Sequence, residues 1–393
     1  WMSQLGNAAN FIAYAFLGIP AGMLLKRIGY KKTALAAIAV GIVGVGTQFF
    51  SGIVPENMAF AIYLTGAFVA GFSMCMLNTV VNPMLNTLGG GGKRGNQLIQ
   101  FGGSLNSISA TIVPVFVGYL MGNVATATIN KANPALFIAI GIFALAFIVL
   151  YFMQIPEPAQ EIEAQKESAE GVKDPHSALS FRHFILGAVA IFLYVGVEVG
   201  IPNFVNLFLS TPVDAVDSVP GLGYEAALAG SICGTYWFLM LIGRLFGGFL
   251  GAKFSSKAML TFVSLLGLLF VLLAIFLPET IKVDMPVFQS DISFGLAEVP
   301  IGIMFLILCG LCTSVMWGGI FNLAVEGLGK YTAMASGIFM VMVCGGILPL
   351  IQGGVADLFG YMASYWVVFA ALIYMLYYAL IGCKNVNKNI PVD

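Results

Sequence analysis

Charge is scarce in this sequence. Asp, Glu, Lys and Arg together supply 9% of its 393 residues, and histidine occurs twice. Soluble domains average about 25% charged residues, so a dissolved globular domain is excluded. No basic patch exists outside short connecting stretches, which removes nucleic acid as a partner. The net charge of −1 points to no partner of either sign. Catalytic signatures are missing as well: there is no GxSxG, HExxH or Walker sequence, so no enzyme activity is expected. The glycine run at 89–92 matches a phosphate loop in composition alone, because Lys93 is followed by Arg94 rather than Ser or Thr. His176 and His183 flank a polar stretch, so neither a metal site nor a cofactor is expected. Cysteines number six, and nearly all lie in apolar runs where they pack as small hydrophobes; the Cys309–Cys312 pair lacks the polar, accessible setting of a redox motif. No secretory signal pattern opens the chain.

What is abundant is apolar surface. Hydrophobic residues make up 59% of the chain, and the mean hydropathy is +0.95. Lipid must solvate most of it. In lipid the backbone has to satisfy its own hydrogen bonds, which leaves helices or closed barrels. The apolar runs are about 20 residues long, the length of a membrane-crossing helix, and the alternating segments of a membrane barrel are absent. Eleven spans are expected, roughly 4–25, 33–52, 58–86, 97–122, 135–154, 182–209, 226–251, 258–277, 300–325, 331–355 and 361–382. The intervening 156–180 is polar and charged and reads as a solvated linker. Lys26, Arg27, Lys31, Lys32, Lys93, Arg94, Lys253, Lys257, Lys330, Lys384 and Lys388 fall on the linker side, against Lys131 and Lys282 opposite. That bias places the linker and the carboxyl-terminal stretch in the cytoplasm.

The chain repeats itself weakly. GIPAGMLLKRIGYKKTAL (18–35) and GRLFGGFLGAKFSSKAML (243–260) each end a span, cross a short basic turn and begin another, at an offset of 225 residues. Gly18 and Gly22 match Gly243 and Gly247. Such small residues let helix backbones approach closely in lipid. Subtracting the offset puts the counterpart of span 182–209 ahead of residue 1. The expectation is therefore an all-α membrane protein of two six-helix halves, with one helix outside this sequence. Its parts are a bundle at 1–155, a cytoplasmic linker at 156–180 and a bundle at 181–393. Two such halves are the major facilitator plan, with sites at mid-membrane between them.

Several segments sharpen this. IPAGMLLKRIGYK (19–31), NTVVNPMLNTLG (78–89), SLNSISATIVP (104–114), LYVGVEVGIPNFV (193–205), YWFLMLIGR (236–244), IFNLAVEGLGKYTAMASG (320–337) and GGILPLIQGGVAD (345–357) resemble the fucose–galactose–glucose proton symporter family of the major facilitator superfamily. Lys26, where the wider superfamily often has an acidic residue, fits that family. The resemblance implies uptake of a monosaccharide coupled to a cation, by a monomer in a bacterial inner membrane. The chain departs from the family at Asn78, where a Glu often stands and where an amide cannot titrate.

The residues offer their own candidates. Glu198 sits among apolar neighbours with no basic residue near it in sequence, and an ionisable group inside a span is a functional suspect by default. It is expected both to bind substrate and to couple the ion. Pro202 removes the donor for the Glu198 carbonyl. Amides both donate to and accept from sugar hydroxyls, so Asn78, Asn82, Gln100, Asn106, Asn203 and Asn322 are substrate candidates. Trp237 and Trp317 lie mid-span and could stack on a sugar ring, with Tyr236 adding a hydroxyl. Gly18, Gly22, Arg27, Gly243, Arg244 and Gly247 are expected to serve conformational change. Arg244 is placed at a cytoplasmic helix end. With no Lys or Arg mid-span, organic anions are disfavoured. A nucleoside or muropeptide sugar remains an alternative cargo, and a non-transporting sensor an alternative role.

Overall fold

The computed structural model describes residues 4–88, 92–121, 132–155, 176–215, 219–250, 253–289, 293–387 and 389–392. Ten helices among the described residues are long and apolar enough to cross a membrane. A further 30-residue helix, Gly92–Met121, falls at the fourth expected span. The expected eleven spans are thus present in the expected order, five before the polar stretch and six after it. Most of that stretch, 156–175, lies outside the described residues.

The first two spans form one bent helix, α1 (Leu5–Phe50), with Gly29 at φ 80° as its only non-helical residue. A left-handed φ is open to glycine because it has no Cβ. The basic turn read from the sequence is therefore a sharp bend and not a loop. Lys31 fixes it by donating to the Tyr151 and Met153 carbonyls, at 2.9 and 2.7 Å, at the end of a later helix. A cation at those terminal carbonyls is favourable. The helices α2 (Glu56–Leu88), α3 (Gly92–Met121) and α4 (Asn133–Phe152) complete the first half. Close packing here relies on small residues: a Cβ on Gly44 would lie 2.8 Å from the Ala70 Cα.

The second half begins with α5 (Arg182–Ser210), whose side chains form much of the protein's buried core. It is followed by α6 (Ala226–Leu250), α7 (Ser256–Phe276) and the hairpin β1 (Lys282–Phe288) with β2 (Phe294–Pro300). Then come α8 (Ile301–Thr313), α9 (Met316–Val325), α10 (Thr332–Met342), α11 (Leu348–Phe359) and α12 (Tyr361–Tyr377). Helices α8 and α9 make one span. So do α10 and α11, joined by a 3-10 turn at Val343–Ile347. In that turn Gly345 lies on the Phe192 carbonyl of α5, and Gly346 lies on the Phe11 ring of α1. The two halves meet along two seams, α1 against α10 with the 3-10 turn, and α3 against α6.

The hairpin was not anticipated. Its strands pair antiparallel with Met285 opposite Ala297. Met285, Val287, Ala297 and Val299 are buried, while Lys282, Asp284, Leu296 and Glu298 are exposed. It lies along α6. The Tyr224 hydroxyl donates to the Glu298 carbonyl near the hairpin base (2.9 Å), and the Phe288 amide donates to Thr235 Oγ1 near the tip (3.0 Å). Phe238, Phe288 and Phe294 cluster there. Thr235 is nine residues from Arg244, and at 100° per residue the two point to opposite sides of α6. The hairpin therefore braces the back of this helix, away from the face that carries Arg244. Beyond α12 the chain returns to the start of α5: Asn387 Oδ1 accepts from the Arg182 amide at 3.0 Å.

Candidate functional site

Glu198 stands near the middle of α5, and the fold gives it the cation that its sequence neighbours lack. Arg244 Nη2 lies 3.2 Å from Glu198 Oε1, and the two side chains are 14% and 17% exposed. Arg244 itself is about a turn and a half from the end of α6. Because Cα–Cβ bonds tilt towards a helix N-terminus, its side chain runs back towards mid-span. The guanidinium also reaches the other half. Nη1 donates to the Gly103 carbonyl at 2.9 Å and to Ser107 Oγ at 2.7 Å, both on α3. One cation thus joins a carboxylate of the second half to two acceptors of the first. The placement of Arg244 at a helix end holds for its backbone only. A cation does reach the level of Glu198, but its charge is met there by the carboxylate, so it offers no free site to an organic anion.

Around the pair the surface is aromatic. Tyr194, one turn before Glu198 on the same face, is buried, and its hydroxyl lies beside the carboxyl without a hydrogen bond of good geometry. The Trp317 ring is 6.1 Å from the Tyr194 ring. Tyr236 is fully buried, with its hydroxyl 3.0 Å from Thr313 Oγ1, and Trp237 stands perpendicular to it at 5.3 Å. Trp237 and Trp317 are half-buried. Tyr236 is accordingly packed within the second half, while the two indoles keep some open surface.

The amides are more dispersed than the carboxylate and the indoles. Asn78 is exposed and donates to the Tyr14 hydroxyl at 2.7 Å, within the first half. Asn203 is half-buried and donates to Gln4 Oε1 at 3.2 Å, a second polar link between the halves. Asn106, beside Ser107 on α3, and Asn322 on α9 are exposed. The side chains of Asn82 and Gln100 lie outside the described residues. Among the conformational candidates, a Cβ on Gly18 would lie 2.7 Å from Val341 Cγ2 across the seam between the halves. One on Gly243 would overlap Ser314, and one on Gly247 would overlap Val315. Gly22 differs, since nothing lies within 4 Å of its missing Cβ. Arg27 is exposed beside the Gly29 bend.

Sequence reasoning missed Ser107, Gly103, Tyr194, Tyr14 and Gln4. A signal existed for two of them. Ser104, Ser107 and Thr111 recur at helical spacing and are all buried, which marks a polar seam on α3. Tyr194 shares a helix face with Glu198 at i, i+4. Among the described residues no group of His, Cys, Asp and Glu could hold a metal ion.

Comparison with known proteins agrees with this architecture. The curated relatives include the glucose/galactose transporter of Brucella abortus biovar 1 (strain 9-941), 29% identical over 98% of this chain and 86% of that protein. They also include the L-fucose-proton symporter of Escherichia coli (strain K12), 24% identical over 92% of this chain and 80% of the relative. These are names to which the resemblance in the sequence pointed. The crystal structure of a variant of the E. coli fucose:proton symporter superposes with a TM-score of 0.68 at 20% identity, over 98% of this chain and 91% of that one, and so shares its fold. The family model of the Major Facilitator Superfamily matches residues 2–349. This chain, a multi-pass helical membrane protein, belongs to the Major Facilitator Superfamily.

Proposed function

We propose that the chain imports a monosaccharide of the glucose, galactose or fucose kind together with a proton, by alternating access between its two halves. The relatives' names support the sugar. The observation that carries the coupling is the Glu198–Arg244 pair, mostly out of water between the halves and bonded to both. Ionisable groups at this depth are costly, and a costly group is kept for a task. Sodium suits this pair poorly, because a metal cation at Glu198 would face a guanidinium 3.2 Å away. A proton instead neutralises the carboxylate and adds no second cation. Asn78, Asn82, Gln100, Asn106, Asn203 and Asn322 supply donors and acceptors for sugar hydroxyls, and Trp237 and Trp317 supply flat apolar faces. The protein works as a monomer in a bacterial inner membrane, with the linker 156–180 and the carboxyl-terminal stretch in the cytoplasm.

The test is uptake into proteoliposomes of labelled glucose, galactose and fucose under an imposed pH gradient, and separately under a sodium gradient. Accumulation of at least one of these sugars with inward protons, and none with sodium alone, is the expected result. Sodium-driven accumulation, or no sugar uptake under either gradient, would overturn the reading.

A further inference from the structure

Ser107 carries none of the usual marks of a functional residue, yet its hydroxyl accepts the shortest of the Arg244 bonds, 2.7 Å. It is 1% exposed, on the face of α3 that meets α6. Its neighbour Thr111 spends its own hydroxyl within α3, on the Ser107 carbonyl at 2.8 Å. Ser107 Oγ is spent across the seam instead. Glu198 and Arg244 belong to the second half, and Ser107 and Gly103 to the first. In the pose in which Glu198 holds it, the guanidinium ties the two halves together.

Guanidinium stays charged at every physiological pH. If Glu198 takes a proton, the cation keeps only the neutral Gly103 carbonyl and Ser107 hydroxyl, in a site that is mostly out of water. A buried cation stripped of its counter-charge is strongly unfavourable. Arg244 has an exit, because its backbone already sits near the linker-side end of α6. The other titratable groups around Glu198 among the described residues are Tyr194 on its own helix and Tyr236 from α6. Neither carries a charge that could replace the carboxylate, and the α3 groups on the guanidinium, the Gly103 carbonyl and the Ser107 hydroxyl, are neutral.

We propose that Ser107 is a positioning residue that carries the protonation state of Glu198 into the other half. With the Gly103 carbonyl it forms a clasp on Arg244 that is shut while Glu198 is charged and opens when Glu198 is neutral. This rests on the reading of Glu198 as the proton-coupling group.

The test needs no sugar. Spin labels at Lys32 and Ser255, one at the basic turn of each half, report the separation of the halves in nanodiscs as pH is varied. Wild-type protein should pass from a short to a long distance as pH falls. Ser107→Ala removes one of the bonds that favour the shut state, so opening needs less protonation and the midpoint moves up, by about one pH unit for one hydrogen bond to a charged group. Ser107→Thr keeps the acceptor and should restore the wild-type midpoint. Glu198→Gln should give the long distance at every pH. A Ser107→Ala midpoint equal to wild type, in protein that elutes as a monodisperse peak, would reduce Ser107 to packing and end the proposal. A distance that ignores pH in wild-type protein that still accumulates sugar with protons would sink the clasp and leave the transport reading intact. A distance that titrates as described in protein that moves no sugar would uphold the clasp and sink the transport reading.

Discussion

Replacing Glu198 with glutamine separates binding from coupling at one position. Glutamine keeps the length of the side chain and one acceptor oxygen, and loses the charge and the proton site. For a pH gradient of one unit, one-to-one coupling supports about tenfold accumulation of sugar, since each 1.4 kcal/mol is a factor of ten. Without coupling the sugar only equilibrates. Glu198→Gln should therefore lower gradient-driven accumulation from that level towards unity, while exchange of labelled for unlabelled sugar persists. The substitution also strands Arg244. Removing one partner of a buried ion pair costs about 3–5 kcal/mol. Here the cost should be nearer 1–3 kcal/mol, because both side chains keep some exposure and the freed guanidinium can turn towards the linker-side end of α6. Thermal unfolding in detergent should show the single variant destabilised. The double variant Glu198→Gln/Arg244→Met should recover part of the loss, as replacing a whole buried pair with apolar groups often does. Accumulation by Glu198→Gln equal to that of wild type under the same gradient would rule out Glu198 as the coupling group. If exchange and accumulation vanish together in a folded variant, Glu198 is a sugar ligand first and the coupling lies elsewhere.

A cysteine at Ser168 should not react with an impermeant maleimide on intact cells and should react after permeabilisation; labelling from outside would reverse the orientation. Gly18→Val puts a side chain into the Val341 backbone and should abolish transport in protein that still reaches the membrane. Gly22→Ala, where a Cβ meets nothing within 4 Å, should transport close to wild type, and equal behaviour of the two variants would count against the close-packed seam. Trp317→Leu should raise KM for sugar more than it lowers kcat if the indole stacks on the sugar ring; unchanged KM would leave Trp317 as packing against Tyr194. Thr235→Val removes the acceptor for the Phe288 amide and should lower thermal stability by about 1 kcal/mol, with proton coupling unaffected because the hairpin lies behind the Arg244 face.

The spans were legible because lipid imposes a length and a hydropathy that a window of residues can detect. Glu198 was legible because a carboxylate in such a window stands out. Its partner was not. Sequence position locates the Arg244 backbone near a helix end, but the direction of its Cα–Cβ bond and the length of its side chain decide where the charge goes. Ser107 was hidden for a different reason, since a serine in a membrane helix usually bonds its own backbone, as Thr111 and Thr79 do. The hairpin escaped because seven-residue strands average out in a window sized for helices, although Val283, Met285 and Val287 alternate correctly with the charged and exposed positions between them. The Gly18 and Gly243 correspondence survived in the fold as close contacts on different partners. Gly18 meets Val341 across the seam, whereas Gly243 meets Ser314 within the second half.

The 3-10 turn at Val343–Ile347 touches both halves at once, through Gly345 on Phe192 and Gly346 on Phe11. It lies between helical arms of 11 and 12 residues. At 1.5 Å per residue these arms are about 17 Å long. The geometry is that of a lever with its fulcrum near the centre. A tilt of about 10° about the turn moves each end by roughly 3 Å in opposite senses, while the fulcrum itself hardly shifts. One gate can therefore narrow as the other widens, driven by a single rigid motion, and the glycines can keep their tight seats throughout.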